Sequence, residues 1–67
     1  MDDKTRSVYE LLQESESPLS TNKIAERLDV DWHTAKKRLD RLLEEEKVHR
    51  KQWGDNLTLW WDKEIPI

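Results

Sequence analysis

The spacing of the apolar residues changes once along this chain, and that change restricts the fold more than any motif does. Up to Glu46, apolar side chains recur at helical intervals. From Val48 onward they alternate, as they do in strands. The stretch from Asp31 to Glu46 shows the helical pattern at its clearest. At about 100° per residue, Ala35, Leu39 and Leu42 fall on one line, with Trp32 and Leu43 at its edge, a stripe of the width a buried helix needs. The opposite line carries His33, Lys37 and Glu44, flanked by Thr34, Lys36, Asp40 and Arg41. Asp31 suits the N-cap, since its carboxylate accepts from free N–H groups of the first turn. Cations fill the first two-thirds of this helix and Glu44-Glu45-Glu46 closes it, the reverse of what the helix dipole favours. Stability does not ask for that order, so the outward cations invite a functional reading.

Two shorter helices precede it. Val8, Leu11 and Leu12 fall at i, i+3 and i+4 and predict a helix over about residues 3–15, with Tyr9 at the rim of its stripe. Asp2 and Asp3 lie at its N-terminal end, where carboxylates complement the dipole. Ser15-Glu16-Ser17-Pro18 stops it, because three poor helix-interior residues precede a proline. Leu19 then stands alone before Ser20, a good N-cap for a second helix over residues 21–28. Ile24, Ala25 and Leu28 form its inward face, and the small Ala25 lets a crossing helix approach closely. Asp29-Val30-Asp31 makes the turn into the third helix, residues 32–45. Asp29 tolerates a left-handed backbone better than most residues, and Val30 plugs the space between the helices.

Beyond Glu46, residues 48–53 and 57–61 flank Gly54-Asp55-Asn56 and predict a β-hairpin. Leu57, Leu59 and Trp61 share one face of the second run. That face is expected to turn inward, with Thr58 and Trp60 outward, Trp61 in the core and Trp32 half-buried. Either Trp53 or Trp60 is then left on the surface. Residues 62–67 read as a tail in which Pro66 ends further pairing. The expectation is one α+β domain spanning residues 1–67, three helices followed by a C-terminal hairpin.

Composition narrows the chemistry. The 67 residues contain no Cys, so disulfides and thiolate metal sites are excluded and a reducing, cytoplasmic setting is expected. His33 and His49 are the only histidines, and no metal-ligand spacing forms. A nucleophile with an adjacent base is also missing, and the lone Gly54 excludes a glycine-rich phosphate loop. The expectation is therefore no enzyme, no metal, no cofactor and no small-molecule site. No apolar run approaches the length of a membrane span, and no signal-peptide pattern opens the chain.

A formal net charge of −3 argues against a nucleic-acid partner when taken globally. Taken by segment it does not. Residues 32–53 carry seven basic against four acidic side chains, while residues 1–31 carry four against eight. Positive charge is gathered on the third helix and the hairpin.

Pro18 to Val30, then Thr34 to Leu42, then Lys47-Val48 resemble the winged helix-turn-helix domains of archaeal and bacterial transcriptional regulators, of the small ArsR-like and MarR-like kind. The resemblance covers about residues 6–61. It implies a third helix in the DNA major groove, a second helix across the backbone and a hairpin wing on phosphate or minor groove. His33, Thr34, Lys36, Lys37 and Arg41 would then face double-stranded DNA. Ser20, Thr21 and Asn22 would sit near a phosphate, and Arg50, Lys51, Gln52 and Asn56 would belong to the wing. Such domains commonly have Gly where Asp29 and Glu46 stand. Glu46 is accordingly expected to remove the left-handed cap after the third helix. The rival reading is a protein-interaction winged helix, suggested by the acidic overall charge, the Asp40–Glu44 line and an exposed Trp. A weak homodimer or a partner chain is compatible with either.

Overall fold

A computed structural model describes residues 2–55 and 57–64. Helix α1 spans Asp3–Glu14. The Asp2 carboxylate caps it, accepting the Thr5 backbone N–H at 2.7 Å, and Thr5, Val8 and Leu12 turn inward. Helix α2 spans Thr21–Leu28, with the Ser20 hydroxyl accepting the Lys23 N–H at 3.1 Å and Thr21, Ile24 and Ala25 inward. Helix α3 spans Trp32–Glu44, with Asp31 accepting the Thr34 N–H at 2.6 Å. Its stripe of Ala35, Leu39 and Leu42 is fully buried. Three polar side chains thus set the starts of three helices whose apolar faces share one core.

Helices α2 and α3 both end in a left-handed residue that is not glycine. Asp29 sits at φ 56°, with the Val30 N–H on the Ala25 carbonyl at 3.0 Å and its own N–H on Glu26 at 3.3 Å. Glu46 sits at φ 60°, with the Lys47 N–H on the Leu42 carbonyl at 2.9 Å and its own N–H on Leu43 at 3.0 Å. Each pair of bonds is a Schellman closure. The loss of the left-handed cap at Glu46 expected from the sequence does not occur, because the two closing bonds hold the glutamate in that conformation. A side chain there costs about 1–2 kcal/mol, offset in part by the greater freedom glycine has when unfolded. Glu46→Gly is therefore expected to raise unfolding free energy by about 0.5–1 kcal/mol in urea titration. A loss of stability would show that the Glu46 side chain contributes something beyond its strained backbone.

The hairpin pairs β2, Val48–Trp53, with β3, Leu57–Asp62, in antiparallel register from Val48 opposite Asp62 to Trp53 opposite Leu57. A third strand joins it. Leu19–Ser20 forms β1, paired with β3 through Leu19 opposite Trp60 and Ser20 opposite Leu59, so the sheet order is β1-β3-β2. Leu19 looked isolated in the sequence because its partner lies some forty residues away.

The inward face of β3 is the opposite of the one expected. Trp60 is fully buried, its indole N–H donating to the Thr21 hydroxyl at 2.8 Å. Trp61 and Leu59 are only half-buried, and Leu57 is 44% exposed. Apolar residues occupy both faces of β3, so alternation alone could not choose between them. The indole of a buried Trp needs an acceptor, and Thr21 supplies one on the side that Trp60 faces. Two positions further on, Asp62 is also buried within β3 rather than starting a tail. Its carboxylate accepts from the Tyr9 hydroxyl at 3.5 Å and from the Glu64 N–H at 3.3 Å. Burial, and then the negative charge of Asp62, pushes the Tyr9 phenol above its ordinary value.

Candidate nucleic-acid interface

Because Ala35, Leu39 and Leu42 are pinned inward, the helical period forces His33, Lys37, Asp40, Arg41 and Glu44 outward on α3. Lys37 is exposed and makes no ion pair among the described residues. Lys36 donates to both carboxylate oxygens of Asp40, at 2.8 and 2.7 Å, and Arg41 approaches Glu45 at 3.4 Å. Two of the three cations expected to face DNA are thus engaged with carboxylates one turn away. Both are exposed i,i+4 pairs, each worth about 0.3–0.5 kcal/mol, so a phosphate can replace the carboxylate at little cost. His33 is exposed, its ring edge-on to that of Trp32 at 5.3 Å. Trp32 is 43% exposed, more open than the half-buried position expected of it. Thr34 is half-buried, with its backbone N–H held by Asp31. Bonds from the Thr34 backbone and hydroxyl hold the Asp31 carboxyl below the usual carboxylate range.

Among the α2 candidates, only Asn22 is exposed. Thr21 is 4% exposed and its hydroxyl holds the Trp60 indole, so its side chain is committed to the core. The Ser20 hydroxyl is occupied in capping α2. Ser20, Thr21 and Asn22 nevertheless border a small depression of about 60 Å³ with Trp32, Leu57 and Thr58. The starts of α2, α3 and β3 therefore converge at one point on the surface.

On the wing, Arg50, Lys51 and Gln52 are exposed as expected. Arg50 lies over the Trp60 ring at 5.8 Å and Lys51 over the Trp53 ring at 5.0 Å. Gln52 donates to the Gly54 carbonyl at 3.2 Å and so braces the turn. Asn56 lies outside the described residues. Trp53 and Leu57 are cross-strand partners near the tip, 47% and 44% exposed.

On its other flank, α3 meets the start of α1 across a cleft of about 300 Å³. Lys37, Arg38 and Arg41 line it from α3, Lys4 from α1, and Asp2, Thr5 and Thr34 complete it. Bonds from the Thr5 backbone and side chain hold the Asp2 carboxyl below the usual carboxylate range, and the positive charges of Arg41 and Arg38 lower it further. Sequence reading missed Lys4; Arg38, about 100° round the helix from Lys37, is expected from the sequence to meet the DNA backbone or an intramolecular partner, and it lies on the flank that lines this cleft. The local signal was slight: Thr5 completes the Val8–Leu12 stripe, which turns Lys4 to the rim. Among the described residues, no group of three or more His, Asp or Glu is placed to hold a metal ion. No helix among them is long and apolar enough to cross a membrane.

Solved structures place this arrangement among winged helices. A structure of HOP2, reported for its DNA recognition and protein interaction domains and for homologous DNA pairing, superposes with a TM-score of 0.81. The two are 22% identical over 88% of this chain and 97% of that one. Human N-acetylserotonin methyltransferase in complex with SAM superposes with a TM-score of 0.74 at 21% identity, over 87% of this chain and 16% of the methyltransferase. At these identities the likeness shows the fold: a small α+β winged helix with three helices and a three-stranded antiparallel sheet. Among curated proteins, none matches the sequence. Residues 1–64 match a family described as a family of unknown function, DUF7342, and the chain belongs to that family. The matching family is this one rather than the ArsR or MarR families that the sequence resembles.

Proposed function

We propose that this chain, a member of a family of unknown function, binds double-stranded DNA sequence-specifically, with α3 in the major groove and the β2–β3 wing on the backbone or minor groove, as a transcriptional regulator. The observation that carries this is Lys37, exposed at the middle of the outward face of α3 and unpaired with any carboxylate among the described residues. Lys36, Arg41 and His33 flank it, and the wing adds Arg50 and Lys51. Side chains of that kind neutralise phosphates and donate to guanine O6 and N7. The HOP2 structure, described for DNA recognition, supports the reading by its fold. Regulation as the purpose of binding rests on the sequence resemblance to bacterial and archaeal winged-helix regulators alone, since the matched family is one of unknown function.

The wing favours a second reading, a protein-interaction module. Trp53 and Leu57 place two large apolar side chains side by side in solvent, and half-buried Leu59 and Trp61 continue that face. An amide NMR titration with random-sequence duplex at low salt separates the two. Shifts concentrated in residues 32–41 and on β2 are the expected result, weakening steeply as salt rises. Absence of shifts over 32–41 would discard DNA as the partner and leave the apolar wing face as the functional surface.

A further inference from the structure

We infer that the cleft between α1 and α3 is a phosphate-binding site, separate from the base-reading face of α3, and that its occupant is a backbone phosphate of the bound duplex. The inference rests on the proposed DNA-binding role for its occupant, and on geometry alone for its chemistry. Four cationic side chains, Lys4, Lys37, Arg38 and Arg41, line a cleft of about 300 Å³ in which Asp2 supplies the one lining carboxylate, while Arg41 also approaches Glu45 at 3.4 Å. Asp2 is turned to the helix, since the Thr5 N–H and side chain bond to it, so one of its oxygens is spent on capping. Cations converging on one open cleft from two helices attract an anion electrostatically. In a chain of net charge −3, random placement of cations does not favour such a cluster.

The chemistry suits an oxyanion bearing several acceptors. Arg38 is half-buried, and guanidinium, being weakly hydrated and planar, is the cation best able to hold a phosphate at a partly desolvated site. Lys4 closes the cleft from the first turn of α1, where the helix end adds a positive field. Lys37 and Arg41 border both the cleft and the outward face of α3. A duplex lying along α3 therefore carries one backbone strand past the cleft. A free oligophosphate offers the same oxygens and is the competing source.

Two titrations of the full chain test this, on wild type and on Lys4→Glu, with Lys63→Glu as the same charge change outside the cleft. Lys4 is exposed and acidic residues are favoured in a first turn, so Lys4→Glu is expected to melt with wild type; Lys4→Ala serves if it does not. Inorganic pyrophosphate followed by amide NMR is expected to shift Lys4, Thr5, Lys37 and Arg38 in wild type and in Lys63→Glu, and to leave them unmoved in Lys4→Glu. In the duplex titration, Lys4→Glu is expected to flatten the dependence of log affinity on log salt by about one, the loss of one phosphate contact. Pyrophosphate shifts with an unchanged salt slope would keep the phosphate site and assign it to a free oligophosphate. Pyrophosphate shifts in a wild-type chain that binds no duplex would defeat the DNA-binding role while leaving the site standing. No pyrophosphate shifts together with an unchanged slope would overturn the inference.

Discussion

Trp60→Ala is expected to be the most destabilising single change in the domain, costing about a third or more of its total stability. Trp60 is fully buried, and truncating a buried Trp to alanine costs about 3–5 kcal/mol. A domain this small has roughly 3–10 kcal/mol in total, at about 0.05–0.15 kcal/mol per residue. Trp61→Ala, at the position that alternation alone turns inward, is expected to cost a fraction of that, because Trp61 is only half-buried. Thr21→Val keeps the shape while removing the acceptor for the indole N–H, and is expected to cost about 1–3 kcal/mol through one unsatisfied buried donor. Urea titrations of the three variants read out the order directly. If Trp61→Ala proved the more damaging, β3 would have its faces the other way round and the β1–β3 pairing would be in doubt.

Lys37→Glu is expected to abolish duplex binding without affecting the fold. The side chain is exposed and makes no ion pair among the described residues, so the change in unfolding free energy should stay within about 0.5 kcal/mol. Binding loses one phosphate-facing cation and gains a repelling carboxylate, at a residue that, like Arg41, belongs to both the groove-facing side of α3 and the α1–α3 cleft. A loss beyond tenfold, more than about 1.4 kcal/mol, is expected at low salt, with a flatter salt dependence. Lys36→Gln should do less, since it removes a cation without adding a repelling charge, and Lys36 first exchanges Asp40 for the phosphate. Wild-type affinity in Lys37→Glu would remove the outward face of α3 from the interface.

The helices were legible to within a residue or so because everything that shapes them is local. Ser20 and Asp31 announce their caps three residues ahead of the N–H groups they hold. Ala35, Leu39 and Leu42 reveal the inward side of α3 by spacing alone, and that spacing decides which way Lys37 points. The hairpin was legible too, from Gly54-Asp55 between two alternating runs, with β3 one residue longer than expected. The left-handed residue at Asp29 could be anticipated from its side chain. The one at Glu46 could not, since glutamate has no such preference and the two backbone bonds of the closure put it there.

What the chain encodes by itself is its three helices, the hairpin after them and the outward placement of its cations, since caps, turn residues and apolar spacing act between near neighbours in sequence. What only the packed molecule decided is which face of β3 is buried, that Leu19–Ser20 is a strand, and that Lys4 joins Lys37, Arg38 and Arg41 around one cleft. Thr21 and Trp60 stand 39 residues apart, and the bond between them selects one of two apolar faces that a period of two leaves equivalent. Contacts across that separation form only when the whole core closes, so no local spacing carries them.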